Sequence, residues 1–159
     1  MKPDRHHPLI RRLSTEDLEA LHSIEQLAYP FPWSRRVFAD CLRVGYACFG
    51  LQIGRDLAGY SIAGIAANES HLLNLCVHPD WQRRGYGSLL LEYMINHAAR
   101  QGAEAMFLEV RESNPRAAKL YRERGFAVIG RRPNYYKAGD KREDAIVMRL
   151  LLDSVMDQS

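Results

Sequence analysis

Apolar positions along the chain follow two periods, one helical and one alternating, with Gly, Pro and Asn marking the breaks. Leu9 to Leu13 reads as a short first strand. Ser14 then caps a helix, with Asp17 placed to complete a capping box. Leu18, Leu21, Ile24, Glu25 and Ala28 follow at helical spacing until Pro30 and Pro32 stop them. Ser34 is a second N-cap, for a short helix running through Phe38 to Leu42. Tyr46–Ile53 and Leu57–Ala66 predict two strands joined at Gly54-Arg55-Asp56. After a turn at Asn68-Glu69, His71–Val77 predicts the third strand of a meander.

The second half changes rhythm. Leu91, Met94, Ile95 and Ala98 share one face of a helix that follows Gly87 and ends at Gly102. Ala105–Val110 is a strand. Asn114-Pro115 is a helix start, with Asn at the cap and Pro at the first helical position. That helix carries Ala117, Leu120 and Tyr121 and closes at Gly125. Phe126–Gly130 is a further strand. A polar loop is expected through Asp140, and Ala145–Leu151 is the last strand. A meander followed by β-α-β-α-β predicts an α/β fold, with a mixed sheet and helices on both faces. No repeat, linker or low-complexity segment interrupts the 159 residues, so a single domain over 1–159 is expected.

Composition changes little in this picture. Hydrophobic residues at 47% and charged residues at 26% suit a soluble globular core, and a net charge of +3 does not demand a nucleic-acid surface. The basic doublets Arg11-Arg12, Arg35-Arg36, Arg83-Arg84 and Arg131-Arg132 read first as solvated surface. An RNA-binding reading would lean on them, but no RNP-type motif is present. Cys41, Cys48 and Cys76 have no paired spacing, so buried, reduced thiols in a cytosolic protein are expected, without a structural metal. His6-His7 reads as a free arm. The N-terminus lacks the apolar stretch of a signal peptide, and no apolar run reaches the roughly 20 residues of a membrane span.

The stretch Gln82-Arg83-Arg84-Gly85-Tyr86-Gly87 then stands out. It is not a dinucleotide fingerprint, because Leu90 occupies the third glycine position, and it lacks the Lys-Ser/Thr of a P-loop. By pattern alone it reads equally as a tight strand-to-helix turn. Physically it suits an anion: a helix start leaves N–H groups unpaired, glycines admit close approach, and the arginines add charge.

These residues resemble the Q/R-x-x-G-x-G/A motif of the GCN5-related N-acetyltransferases (GNAT family). Glu25 with Phe31-Pro32-Trp33-Ser34, Leu108-Glu109-Val110-Arg111 with Asn114, Leu120-Tyr121, Asn134-Tyr135-Tyr136 and Arg142-Glu143-Asp144 are similar to the bacterial ribosomal-protein alanine N-acetyltransferases, the RimI type. Pro133 ahead of Asn134 departs from that pattern. The resemblance implies a GNAT fold with a central, mixed, mostly antiparallel sheet of about seven strands. It implies acetyl-coenzyme A as co-substrate, with Arg83, Arg84, Gly85, Tyr86, Gly87 and Ser88 on its pyrophosphate. Leu75, Cys76 and Val77 would lie along the pantetheine arm and polarise the carbonyl, and Asn114 would contact the coenzyme. No metal is implied.

The same resemblance makes Glu109 the general base and Tyr121 the acid that protonates the leaving sulfur. On pattern alone Glu109 reads as an exposed strand carboxylate or one paired with Arg111, and Tyr121 as a core aromatic. Glu25, Phe31, Trp33, Tyr135 and Tyr136 are expected to receive the acceptor, the N-terminus of a small-subunit ribosomal protein, with Glu25 open to a basic peptide. A cytoplasmic monomer without nucleic-acid or membrane contact is the accompanying expectation. A small-amine or lysine acetyltransferase, or a non-catalytic coenzyme-binding module associated with the ribosome, are the alternatives.

Overall fold

The computed structural model describes residues 7–152. His6 and the rest of the N-terminal arm before it lie outside these residues. The strands are β1 (Leu9–Arg12), β2 (Ala47–Ile53), β3 (Asp56–Ala66), β4 (Glu69–Val77), β5 (Ala105–Arg111), β6 (Ala127–Ala138) and β7 (Lys141–Leu151). The helices are α1 (Leu18–Ala28), α2 (Arg35–Val44), α3 (Tyr86–Arg100) and α4 (Pro115–Glu123). The strands form one seven-stranded sheet in the order β1-β2-β3-β4-β5-β7-β6. β1·β2, β5·β7 and β6·β7 pair antiparallel, and β4·β5 pair parallel. A parallel pair needs a crossover, and α3 supplies it.

By internal contacts the chain forms two compact units, one from the residues up to Ile62 with Asn74–Leu91, the other from Ala63–Leu73 with the chain from Glu92 onward. In the first, Leu21, Phe38, Leu51, Tyr60 and Leu90 are wholly buried. Burying each such apolar side chain contributes on the order of 1.5–3 kcal/mol. The α1 entry is held by the Ser14 N–H donating to Asp17 Oδ2 at 2.9 Å, while Arg11 grips the same carboxylate at 2.8 and 3.1 Å. Arg11 is thus an ion-pair partner, not a merely solvated member of its doublet. Ser34 Oγ caps α2 by accepting from Val37 N–H at 3.3 Å.

In the second unit, Met94, Met106, Leu108, Met148 and Leu152 are wholly buried. Asn114 Oδ1 caps α4 by accepting from Ala117 N–H at 3.2 Å, and Gly125 ends that region with φ +97°. Along β5 the buried positions alternate with half-buried Phe107, Glu109 and Arg111, so those three share the more open face.

The expected polar loop through Asp140 is wrong. Residues 127–138 form β6, which runs antiparallel along β7 and turns back at Gly139 and Asp140. At nearly every position this strand is exposed on both faces, so it carries no alternation to read. It is an edge strand, and Pro133 is tolerated because it falls in a break of the ladder with β7, between Arg132 and Tyr136. The register slips between Val128 and Gly130 and again between Arg132 and Tyr136. Asn134 adopts φ +53° in the second slip and donates its N–H to Asp144 Oδ1 at 2.9 Å.

Candidate functional site

The first unit carries the glycine turn. Gln82 Nε2 donates to Val77 O at 2.9 Å and ties the turn to the end of β4. Arg83 and Gly85 both take left-handed φ, +65° and +84°. Open space surrounds a Cβ placed on Gly85, so backbone conformation rather than crowding requires glycine there. α3 begins directly after it, and Leu89 N–H bonds back to Gly85 O at 3.1 Å. The N–H groups of Tyr86, Gly87 and Ser88 therefore belong to the first helical turn, where the backbone offers them no acceptor. Arg83 and Arg84 are both exposed, and the Arg84 guanidinium lies 5.1 Å over the Trp81 ring and donates to Asp80 O at 3.3 Å. The turn is thus a positively polarised helix start with exposed cations beside it.

β4 approaches this turn as Leu75-Cys76-Val77. Cys76 O lies 2.6 Å from where a Cβ on Gly59 would be, so glycine alone lets β3 pass so closely. Tyr29 Oη donates to Leu75 O. Cys41, Cys48 and Cys76 are all buried free thiols. Burial pushes the Cys48 and Cys76 thiols up to about 12, which keeps them protonated and unreactive.

Glu25 is not the open acidic receiver expected of it. It is 2% exposed and accepts from Trp33 N–H at 2.8 Å, Tyr60 Oη at 2.7 Å and Asn74 Nδ2 at 2.9 Å. A carboxylate so buried is held by its donors and cannot greet a peptide from solvent. Its work is to fix the segment containing Trp33, whose ring packs 5.3 Å from Phe38. Phe31, from the same segment, is 40% exposed.

The second unit gathers the acid–base candidates. Glu109 has a side chain only 9% exposed, and its two oxygens are divided between two partners. Oε2 is bonded to His71 Nε2 on β4, and Oε1 lies 3.4 Å from Arg132 Nε on β6. Arg111 bonds to Glu143 Oε1 at 2.8 Å and to Lys137 O at 2.9 Å, and lies 4.3 Å over the Tyr136 ring. Tyr121 is buried on α4, packed edge-on against Phe126 at 5.7 Å. Burial, reinforced by Tyr136, raises its hydroxyl well above the ordinary phenol range. Tyr135 is 44% exposed, meets Tyr136 at 5.0 Å and sits under Arg132 at 5.6 Å. Burial, then Glu109 and Tyr135, likewise raise the Tyr136 hydroxyl.

His71 and Arg132 are the residues that sequence reasoning missed. The signal for His71 was available: β-α-β order implies a parallel β4·β5 pair, and alternate residues of paired strands share a face. Among the described residues no group of three or more His, Cys, Asp or Glu side chains is arranged to hold a metal, and no helix is long and apolar enough to cross a membrane.

Residues 15–126 match the acetyltransferase (GNAT) family. The chain is 42% identical over 141 residues to the ribosomal protein bS18-alanine N-acetyltransferase of Escherichia coli K12, covering 89% of this chain and 95% of that protein. The protein of the same name from Haemophilus ducreyi is 34% identical over 145 residues, covering 91% of this chain and all (100%) of its own. The crystal structure of the ribosomal-protein-S18-alanine N-acetyltransferase from Escherichia coli superposes with a TM-score of 0.86 at 40% identity, over 92% of this chain and 94% of that one.

Proposed function

The chain belongs to the acetyltransferase (GNAT) family, and we propose that it moves the acetyl group of acetyl-coenzyme A to the N-terminal alanine of a small-subunit ribosomal protein of the bS18 kind. The observation that carries this reading is the near full-length likeness to alanine N-acetyltransferases. Bound acetyl-coenzyme A supplies the activated thioester. Its pyrophosphate would be held at the turn Arg83–Ser88, where the first-turn N–H groups of α3 lack backbone acceptors, a Cβ on Gly85 would meet nothing within 4 Å, and Arg83 is exposed beside them. Asn114 contributes a further coenzyme contact.

Glu109 supplies the base. An α-amine titrates near about 7.7–8.0, so close to neutrality it must shed a proton before it can attack. Glu109 takes that proton onto a carboxylate oriented by its two partners. Backbone N–H groups of Leu75–Val77 polarise the acetyl oxygen as charge develops there. Tyr121 gives its proton to the departing sulfur and is restored by the second proton that the nitrogen sheds as it becomes an amide. Its burial suits the role, because it keeps the phenol protonated until a stronger base appears beside it. Phe31, Trp33, Tyr135 and Tyr136 contact the acceptor, and Glu25 acts behind them by holding the Trp33 backbone. The setting is a cytosolic one, in keeping with three unpaired thiols.

The test is a panel of peptides offered with acetyl-coenzyme A. A peptide beginning with alanine is acetylated on its α-amine and outcompetes one beginning with methionine, and blocking the α-amine abolishes turnover. Equal acetylation of an internal lysine in the blocked peptide overturns the N-terminal reading.

A further inference from the structure

So far His71 only orients the carboxylate that does the work, to which it is bonded. We propose that His71 is the proton outlet of Glu109, carrying to solvent each proton that the buried carboxylate takes from the acceptor amine. The inference rests on the reading of Glu109 as the base.

Three observations carry it. First, the fold brings the two together. β4 and β5 run parallel with His71 opposite Phe107, and Glu109, two residues further along β5, lies on the same face. Second, exposure changes sharply across the pair: the Glu109 side chain is 9% exposed and that of His71 41%. A base enclosed to that degree needs a path by which its proton leaves before the next turnover, and imidazole is the side chain suited to hand a proton on near neutrality. Third, the alternatives around the carboxylate cannot serve. Arg132, from β6, faces Oε1 with a guanidinium, which has donors only and no lone pair to take a proton. Tyr136, also from β6, has its hydroxyl pushed further toward the protonated form by burial and by Glu109. From β7 the residue opposite Glu109 is Val147, which has no proton to exchange.

The transfer balances as follows. An N–H bond of the acceptor ammonium breaks and an O–H bond forms on Glu109. The proton passes from Oε2 to Nε2 of the Nδ1–H tautomer of His71, and the imidazolium then releases its Nδ1 proton to water, which leaves the Nε2–H tautomer. The solvent-exposed ring exchanges that tautomer back through water before the next turnover, and Glu109 is again a carboxylate. His71 acts through Glu109 and is a positioning and relay residue, not one that touches the reacting atoms.

The experiment uses the full chain with His71→Ala, His71→Gln and Glu109→Gln, each checked for folding by thermal melting and for coenzyme affinity by calorimetry. Turnover of an alanine-terminated peptide is measured in dilute buffer, with and without added imidazole. His71→Ala should lower kcat by about 10-fold, short of the about 10²–10⁴-fold expected for losing the base itself. Imidazole should restore it saturably, because a free base can occupy the vacated space. His71→Gln can still hydrogen-bond to Glu109 but cannot carry a proton, so it should stay slow and respond little to imidazole. Glu109→Gln should be slow and unrescued. Wild-type turnover in His71→Gln, or a deficit in His71→Ala that imidazole leaves untouched, overturns the outlet. A slow Glu109→Gln beside normal His71 variants removes the outlet alone, whereas an undiminished Glu109→Gln removes the base and the outlet together.

Discussion

Tyr60 donates its hydroxyl to Glu25 at 2.7 Å inside the first unit, where Tyr60 is wholly buried and Glu25 nearly so. Burial, with Cys76 and Glu25 beside it, drives the phenol far toward its protonated, donating form. Asn74 and the Trp33 backbone complete a carboxylate whose oxygens both accept. Glu25→Gln turns one acceptor into a donor that faces another donor, and should cost about 1–3 kcal/mol of stability. Glu25→Ala, which leaves three buried donors unpaired, should cost more. Urea unfolding checks both, and equal stability of all three proteins would mean that the network contributes nothing to the fold.

Asp17 gives a pH-dependent contribution whose sign is fixed by Arg11. The hydrogen bonds from Arg11 hold the Asp17 carboxyl below its ordinary value, against the opposing effect of partial burial. A carboxyl depressed in the folded state stabilises above its unfolded pKa, about 3.9, and loses that contribution as pH falls through the lower folded value. The melting-temperature gap between wild type and Asp17→Asn should therefore be constant near neutrality and close in acid. A gap unchanged down to acid denaturation would contradict the pairing.

Gly85 and Gly45 form a matched pair for testing the cradle. Both have nearly the same positive φ, +84° and +83°, and a Cβ at either would point into open space, with no neighbouring group within 4 Å. An L-residue in that conformation costs on the order of 1–2 kcal/mol. Ala at either position should lower the melting temperature similarly, but only Gly85→Ala should weaken acetyl-coenzyme A binding by calorimetry. Equal affinities in the two variants would remove the phosphate assignment from this turn.

Tyr121→Phe keeps the ring that packs on Phe126 and removes only the hydroxyl. The fold should hold while kcat falls. Raising the pH should not restore it, since the missing proton belongs to the leaving group. Undiminished turnover would leave Tyr121 as a core aromatic and nothing more.

Most of the fold was legible because its signals are local. Ser34 and Asn114 announce helices by capping them, and Asn68 and Gly102 mark turns by the left-handed φ they adopt. β6 was legible only at its start, Ala127–Gly130; beyond that an exposed edge strand with a proline and two register slips shows no period. Within the site, Glu109 could be picked out as a charge in an apolar strand, but its surroundings could not. His71 reaches it from 38 positions away in sequence. Glu25 was misread for the same reason: two of its donors, Tyr60 and Asn74, come from 35 and 49 positions away, so its enclosure is a product of folding that no local pattern displays.

The most direct measurement is the pH–rate profile of Glu109→Gln beside wild type, with an alanine-terminated peptide and saturating acetyl-coenzyme A. Gln matches Glu in size but cannot take the amine proton. Near neutral pH its turnover should be lower by about 10²-fold or more, with coenzyme affinity little changed. As pH rises past the amine's own range, about 7.7–8.0, free amine accumulates unaided and the deficit should shrink. Near-normal turnover of Glu109→Gln at every pH, in a folded protein that still binds the coenzyme, would contradict the account and place the base elsewhere.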